Sequence, residues 1–106
     1  ASRTMIRQLE EDQKRRSKRA LTDAIDRALI DLLAIYRDVL MVQVGGDGEL
    51  INTDLSDLVH EIAQDSTPRQ TLARVDHIET ARRRLIANGN PLLVLEDMAI
   101  SLRPQA

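Results

Sequence analysis

The sequence predicts an all-α fold, a helical bundle of four main helices plus an N-terminal helical lead-in. Three observations predict it. The first 44 of the 106 residues contain neither glycine nor proline, so nothing in that stretch interrupts a helix. Apolar residues then recur at intervals of three and four. Two prolines directly follow a good capping residue, as they do at helix starts.

The composition fits one small domain. The chain is 42% hydrophobic and 30% charged, enough for a single modest core. It contains no cysteine, which excludes disulfides, cysteine zinc sites, iron–sulfur clusters and a thiol nucleophile. No secretion signal is recognisable, and no apolar run approaches the ~20 residues that cross a bilayer. We therefore expect a cytoplasmic protein without a membrane partner.

The first helix should change character along its length. No apolar side chain lies between Glu10 and Arg19, so this stretch has no face to bury. An unbroken helix over the first 44 residues would span about 66 Å. A compact chain of 106 residues has a radius of gyration of only about 13 Å, so this helix would not fit within it. The segment must break or project. We predict a solvated lead-in over residues 3–20 and the main buried helix over residues 21–44. The apolar stripe of that helix comprises Leu21, Ile25, Ala28, Leu29, Leu32, Leu33, Tyr36, Val39 and Leu40.

A glycine-rich segment, residues 45–48, is expected to end the first helix, because glycine readily adopts the left-handed conformation found at helix ends. A second helix should follow, capped by Thr53 or Asp54. Its predicted apolar side comprises Leu55, Leu58, Val59, Ile62 and Ala63.

The third helix has a strong start signal. Thr67, Pro68 and Gln70 predict a capping box with proline at the first helical position. Asn88 and Gly89 should end this helix. Its predicted buried residues are Leu72, Val75, Ile78, Ala81, Leu85 and Ile86.

The fourth helix should begin in the same way, with Asn90 as the cap and Pro91 at the first helical position. Pro104 is expected to end it. Its predicted apolar stripe comprises Leu92, Leu95, Met98, Ala99 and Leu102.

No arrangement of residues predicts catalysis. The glycine-rich segment lacks the lysine and the preceding strand of a phosphate-binding loop. His60 and His77 could join an acid in a zinc site, but the preferred interpretation is that both are surface histidines. We therefore predict no enzyme activity, no cofactor, no metal and no small-molecule substrate.

Charge is distributed unevenly. Residues 1–19 carry seven basic and three acidic groups, a net charge of +4, whereas residues 20–106 carry eight and fourteen, a net charge of −6. The basic run at residues 14–19 could follow a phosphate backbone. No aromatic residue interleaves it, however, and Glu10, Glu11 and Asp12 precede it by about one helical turn and can pair with it. A solvated helix surface is the preferred interpretation, with a protein contact or a nucleic-acid contact as alternatives.

Two short polar runs are candidates for contacts between helices or subunits. Tyr36 lies on the apolar stripe, so its ring should pack while its hydroxyl finds a partner at the edge. Arg37 and Asp38 point elsewhere and could form ion pairs. The three successive arginines at 82–84 fan around their helix, so at least one should reach solvent or a partner.

Three stretches carry a family resemblance. They are residues 24–46 (AIDRALIDLLAIYRDVLMVQVGG), 51–54 (INTD) and 81–98 (ARRRLIANGNPLLVLEDM). In this order and spacing, the chain resembles the C-terminal collar domain of the delta-prime subunit of the bacterial DNA polymerase III clamp loader. The preceding EEDQKRRSKRALTDA looks like the lead-in of actinobacterial-type members. The resemblance covers roughly residues 8–103.

The resemblance implies a piece of a larger subunit. Members carry two N-terminal AAA+ modules with a cysteine zinc cluster and an arginine that acts on a neighbour's ATP site, and none of these features is present in this chain. Collar domains of five subunits form a ring that holds the ATP-driven loader together while it loads the sliding clamp during DNA replication. The implied role is non-catalytic oligomerisation, with the gamma/tau and delta subunits as partners and no direct contact with nucleic acid.

The resemblance also implies a division of the chain. We expect residues 1–20 to form a basic helical linker and residues 21–106 to form the collar domain. A neighbour would contact apolar surface that the bundle leaves uncovered, and the candidate interface residues are Tyr36, Arg37 and Arg103. Two alternatives remain: a stand-alone helical adaptor or dimerisation module unrelated to replication, and a nucleic-acid binder that uses residues 14–19.

Overall fold

The computed structural model describes residues 2–46, 48–87 and 89–103. Its four helices are α1 (Ser2–Gln43), α2 (Ser56–Asp65), α3 (Pro68–Ile86) and α4 (Pro91–Ser101), with a single 3-10 turn at Thr53–Leu55 before α2. These described residues contain no β-strand. The predicted all-α class is therefore confirmed.

The first helix is continuous and projects from the bundle. α1 runs for 42 residues without a break, and the molecule extends 66 × 29 × 19 Å along its principal axes. Its radius of gyration of 18.4 Å exceeds the value of about 13 Å expected for a compact domain of this length. Among the described residues, none before Ile25 is buried. The first half of α1 is thus a solvated extension, as the sequence predicts. The predicted stripe of the second half is partly wrong, because Leu21 and Ala28 are exposed.

The core lies where the second half of α1 meets α3 and α4. α1 contacts all three other helices, and α2 adds the fully buried Val59. Core positions in α1 recur every four residues and those in α3 every three or four, which places each set on one face of its helix. The main buried residues are Ile25, Leu29 and Leu33 of α1, Ile78, Ala81 and Leu85 of α3, and Val94 and Met98 of α4.

The predicted buried face of α3 is partly wrong. Ile78, Ala81 and Leu85 are buried as expected, but Leu72 is 52% exposed and Ile86 is 75% exposed. The first turns of α3 instead bury Thr71, whose exposure is 0%. A hydrogen bond to α1, described below, explains why a polar residue takes this position.

The predicted stripe of α4 is also partly wrong. Met98 is buried and Leu102 is half-buried, but Leu92, Leu95 and Ala99 are exposed. The bundle covers Pro91 and Val94 in their place. Because α4 has aliphatic residues on most of its circumference, spacing alone did not decide which side would face the core.

The start of α2 differs from the prediction as well. Thr53 and Asp54 lie in the 3-10 turn, and α2 begins two residues later without a side-chain cap. Leu58 is exposed, although the rest of the predicted side is at least half-buried.

The starts of α3 and α4 match the sequence closely. The Gln70 N–H donates to the Thr67 hydroxyl at 3.1 Å, and the Thr67 N–H donates to Gln70 Oε1 at 2.9 Å. Asn90 Oδ1 accepts from the backbone N–H groups of Leu92 and Leu93 at 3.1 and 3.2 Å. These bonds satisfy donors that a helix leaves free at its first turn.

The helix ends agree with the sequence where they are described. Gly45 follows α1 with a φ of +71°, the left-handed conformation expected there. Asn88 and Pro104, predicted to end α3 and α4, lie outside the described residues, as does Asp47 within the glycine-rich segment.

A buried carboxylate fixes the segment that follows α1. Asp38 is only 2% exposed. Its Oδ1 accepts from Ile51 N at 2.7 Å, and its Oδ2 accepts from Asn52 N at 2.8 Å and Asn52 Nδ2 at 3.0 Å. The ion pair considered for Asp38 is not formed with any described residue. Loop N–H groups rather than a cation satisfy this carboxylate.

A second polar contact joins the ends of three helices. Gln43, the last residue of α1, donates from Nε2 to Ser66 O at 3.0 Å and to Ala63 O at 3.3 Å, at the end of α2. Its Oε1 accepts from the Thr71 hydroxyl of α3 at 2.7 Å. One amide side chain thus connects α1, α2 and α3, and it supplies the partner that the buried threonine requires.

Removal of the Asp38 carboxylate should destabilise the domain strongly. In Asp38→Ala the two partly buried loop N–H groups lose their acceptor, and an unpaired buried donor costs about 1–3 kcal/mol. We expect the free energy of unfolding, measured by urea denaturation, to fall by about 2–5 kcal/mol. Asp31→Ala, which removes an exposed aspartate of the same helix, is the matched control, and an equal loss in both variants would contradict the role assigned to Asp38.

Stability should also depend on the ionisation of Asp38. Burial by itself would raise the pKa of this carboxyl, but hydrogen bonds from Ile51 and Asn52 outweigh burial, so its pKa lies below the usual value. A lowered folded-state pKa adds stability above the unfolded-state pKa, and this stability is lost as the pH falls through the folded value. Below about pH 4, the wild-type unfolding free energy should therefore decrease more steeply than that of Asp38→Asn. Parallel profiles in a pH series of denaturation curves would contradict this expectation.

Candidate subunit-association surface

α4 is apolar around most of its circumference. Of its eleven residues, only Glu96, Asp97 and Ser101 are polar. The described bundle buries one stripe of this helix, formed by Pro91, Val94 and Met98. Helices that are hydrophobic on all sides are normally buried on all sides. The composition of α4 therefore predicts packing contacts on more sides than the described bundle provides.

The uncovered part of α4 carries large aliphatic side chains. Leu92, Leu93 and Ile100 are 61%, 56% and 59% exposed, and Leu95 is 37% exposed. Ile86, the last residue of α3 before the turn into α4, is 75% exposed. Isolated exposed apolar residues are ordinary, but a group of this kind on one short helix is a candidate interaction site. We call Leu92, Leu93, Leu95 and Ile100 the α4 surface.

The corner before α4 is closely packed and sets the direction of that helix. Gly89 N donates to Arg84 O at 2.9 Å. A Cβ atom on Gly89 would lie 2.8 Å from Arg84 O and 3.1 Å from Val94 Cγ2, too close for any larger residue without a shift. Together with the Asn90 cap, this contact holds α4 against α3 through the Val94 side and leaves the α4 surface outward.

The predicted interface residues lie in different environments. Tyr36 is half-buried on α1 and packs against the core, as expected from its place on the apolar stripe. The Arg74 guanidinium of α3 lies 6.0 Å from the centroid of its ring. Arg37 and Arg103 are exposed, and neither forms an ion pair with a described residue. Arg103 lies beside Arg69 and Arg74 at the rim of one cleft.

The arginine run at the end of α3 has divided roles. Arg82 donates to Asp26 of α1 from Nε at 2.7 Å and from Nη2 at 3.3 Å, and this hydrogen bond raises the pKa of Arg82 above its usual value. Arg83 and Arg84 are exposed. The prediction that at least one of the three reaches solvent is therefore confirmed.

The basic run of the lead-in pairs as its sequence suggests. Arg15 forms an ion pair with Asp12, and Arg16 Nε lies 3.5 Å from the Asp12 carbonyl oxygen. His60 and His77 are both exposed, on α2 and α3, in agreement with the surface interpretation.

Two further types of site are not found in the described part of the chain. Its residues contain no group of three histidine, cysteine, aspartate or glutamate side chains that could hold a metal ion. None of its helices has the length and hydrophobicity required to span a membrane.

Comparison with known protein families identifies the family of this four-helix domain. The family model for "DNA polymerase III, delta subunit, C terminal" matches residues 4–103, which include nearly all of α1 and the three shorter helices. The chain belongs to this family. The α4 surface is thus a feature of a C-terminal domain of the delta-subunit family.

A relative from Bacillus subtilis supports the same assignment. DNA polymerase III subunit delta' of Bacillus subtilis (strain 168) is 33% identical to this domain over 72 residues. The match covers 68% of the chain and 22% of that protein, so the chain spans about a fifth of the relative's length. No solved structure shows a significant match. The domain is therefore the C-terminal domain of a delta or delta-prime subunit of the DNA polymerase III clamp loader.

The composition of α4 indicated an exposed apolar surface, although helical periodicity alone did not. Leu92 and Leu95 were expected in the core because they continue a three-and-four pattern, yet both face solvent. The informative feature was the near absence of polar residues around α4, which indicates cover on more than one side.

The two sides of α4 should respond differently to substitution in the isolated domain. Met98→Ala removes buried atoms from the core and should lower the free energy of unfolding by about 2–5 kcal/mol. Leu93→Gln changes an exposed position and should alter it by no more than about 0.5 kcal/mol. Urea denaturation of both variants measures the difference, and a larger loss in Leu93→Gln than in Met98→Ala would show that the buried side is assigned wrongly.

Proposed function

We propose that this domain is a non-catalytic oligomerisation domain that helps to hold the clamp loader together while the sliding clamp is loaded during DNA replication. The observation that carries the proposal is the α4 surface, a set of large aliphatic side chains that the domain's own bundle leaves exposed. Membership of the delta-subunit family supplies the class of partner. The partners proposed are the collar domains of the gamma/tau and delta subunits of the same loader.

The physical basis of the association is apolar burial. Each leucine or isoleucine that passes from water into an interface gains about 1.5–3 kcal/mol. Part of this gain offsets the loss of translational and rotational freedom, about 4–15 kcal/mol for two proteins. A few such side chains give a modest pairwise affinity, which fits a subunit that is held by more than one neighbour.

The finer assignment is to the delta-prime subunit of the actinobacterial type. Identity with a delta' subunit supports the assignment to delta-prime. The proposal of an actinobacterial type rests on the resemblance of the lead-in EEDQKRRSKRALTDA alone. Within the domain, residues 1–20 form a helical linker and residues 21–106 form the collar domain. The exposure of every described residue before Thr22, apart from the half-buried Asp12, supports this division. The protein acts in the cytoplasm, without catalytic residues, cofactor or small-molecule substrate of its own.

Tyr36, Arg37 and Arg103 are proposed to take part in the contact. Arg37 and Arg103 are exposed, and exposed arginines suit the polar rim of an interface. The hydroxyl of the half-buried Tyr36 gives a neighbour one further polar group to bind.

Association can be tested with purified gamma/tau and delta subunits. The wild-type domain should form a mixed complex at tens of micromolar, detected by light scattering. A Leu93→Glu and Ile100→Glu double variant should bind at least about 100-fold more weakly, since each substitution places a charge in an apolar contact and tenfold corresponds to about 1.4 kcal/mol. Leu9→Glu, at a position of similar exposure on the lead-in, is the matched control. Absence of any complex with the wild-type domain would contradict the proposed function.

A further inference from the structure

A cationic cleft lies between the first half of α3 and the end of α4. Its volume is about 240 Å³, and its lining includes Arg69, Arg74, His77, Ser101 and Arg103. No carboxylate of a described residue lines it. We propose that this cleft binds the carboxylates of an acidic segment on a neighbouring subunit of the clamp loader, an inference that rests on the proposed function and names the polar part of the contact.

The three arginines of the cleft are left without carboxylate partners by the described part of their own chain. Arg15, Arg82 and Arg84 each pair with an aspartate, whereas no described residue forms an ion pair with the cleft arginines. The whole chain has 17 acidic residues against 15 basic ones, so carboxylates are not scarce. Like charges brought together without a counter-charge repel one another, and an anionic partner would remove that repulsion.

The structure holds the side chain of one cleft arginine and the backbone of another. The Arg74 guanidinium lies over the Tyr36 ring at 6.0 Å, a cation–π arrangement that leaves its N–H edge free to donate. Arg69 lies within the capping box formed by Thr67 and Gln70, which fixes its backbone. Donors positioned before binding lose less conformational entropy when a partner arrives.

Carboxylates suit this cleft better than nucleic acid. The arginine fork can pair with either a carboxylate or a phosphate through two parallel hydrogen bonds. Single-stranded nucleic acid also needs aromatic faces on which its bases can stack. Tyr36 is the only phenylalanine, tyrosine or tryptophan of the chain, and Arg74 lies over one face of its ring. The cleft therefore suits the carboxylates of one or two acidic side chains of a protein.

The cleft and the α4 surface are reached from neighbouring residues of α4. Ile100 belongs to that surface, and the adjacent Ser101 lines the cleft. A neighbour that covers the exposed aliphatic residues would therefore reach the arginines at its edge. An apolar centre with a charged rim is the usual arrangement of a protein interface, and charge complementarity at the rim selects the correct partner.

The test compares two double variants of equal charge change. Arg74→Glu with Arg103→Glu alters the cleft, and Arg3→Glu with Arg7→Glu makes the same change on the lead-in, where both residues are exposed. Affinity for purified gamma/tau and delta subunits is measured between low and high salt. The cleft variant should bind at least about tenfold more weakly at low salt and show a smaller salt dependence, while the control retains the wild-type profile. Arg74→Gln with Arg103→Gln, which introduces no repulsion, should show an intermediate loss.

Failure of this inference can be separated from failure of the proposed function. If the wild-type domain binds the subunits and the cleft variant binds equally well at every salt concentration, the inference is overturned and the association role stands. If the wild-type domain binds none of the subunits, the proposed function itself fails. A single-stranded oligonucleotide serves as a second probe. Binding of it that depends on Arg74 and Arg103, with unchanged affinity for the subunits, would show a phosphate site and overturn the proposal.

Discussion

The second half of α1 is the one surface on which every other helix of the described domain packs. Ile25, Leu29 and Leu33 form its core-facing side, and the shorter helices each place a single face near it. A helix of eleven residues such as α4 can bury only one stripe in this arrangement. Because α4 can bury only this stripe, its other apolar residues remain outside the bundle, where another molecule can cover them.

Polar contacts at the end of α1 make this packing specific. Asp38 ties the following loop back to its own helix through Ile51 and Asn52, and Gln43 connects α2 and α3 through Ser66 and Thr71. Buried polar groups with all partners present favour one arrangement over competing ones. A domain held in this way presents the α4 surface and the arginine cleft in a fixed arrangement, as the proposed association requires.

Local signals in the sequence predicted local structure well. The capping box of α3 lies within four consecutive residues, and the expected bonds formed between Thr67 and Gln70. The role of Asp38 was not predictable in this way, because its acceptor atoms meet donors 13 and 14 residues away. The buried side of α4 depended on the corner at Gly89, which periodicity does not encode. The cleft was not predictable for the same reason, since its arginines come from α3 and from the segment after α4, which only the fold brings together.

The central claim is that a neighbouring member of the clamp loader covers the α4 surface. The chain contains no cysteine, so Leu93→Cys and, separately, Leu9→Cys each give a single reactive thiol at positions of similar exposure. The rate of maleimide labelling can then be measured with and without the gamma/tau and delta subunits. Addition of the subunits should slow labelling at position 93 sharply and leave the rate at position 9 unchanged. An unchanged rate at position 93 in a mixture shown to contain the complex would contradict the account.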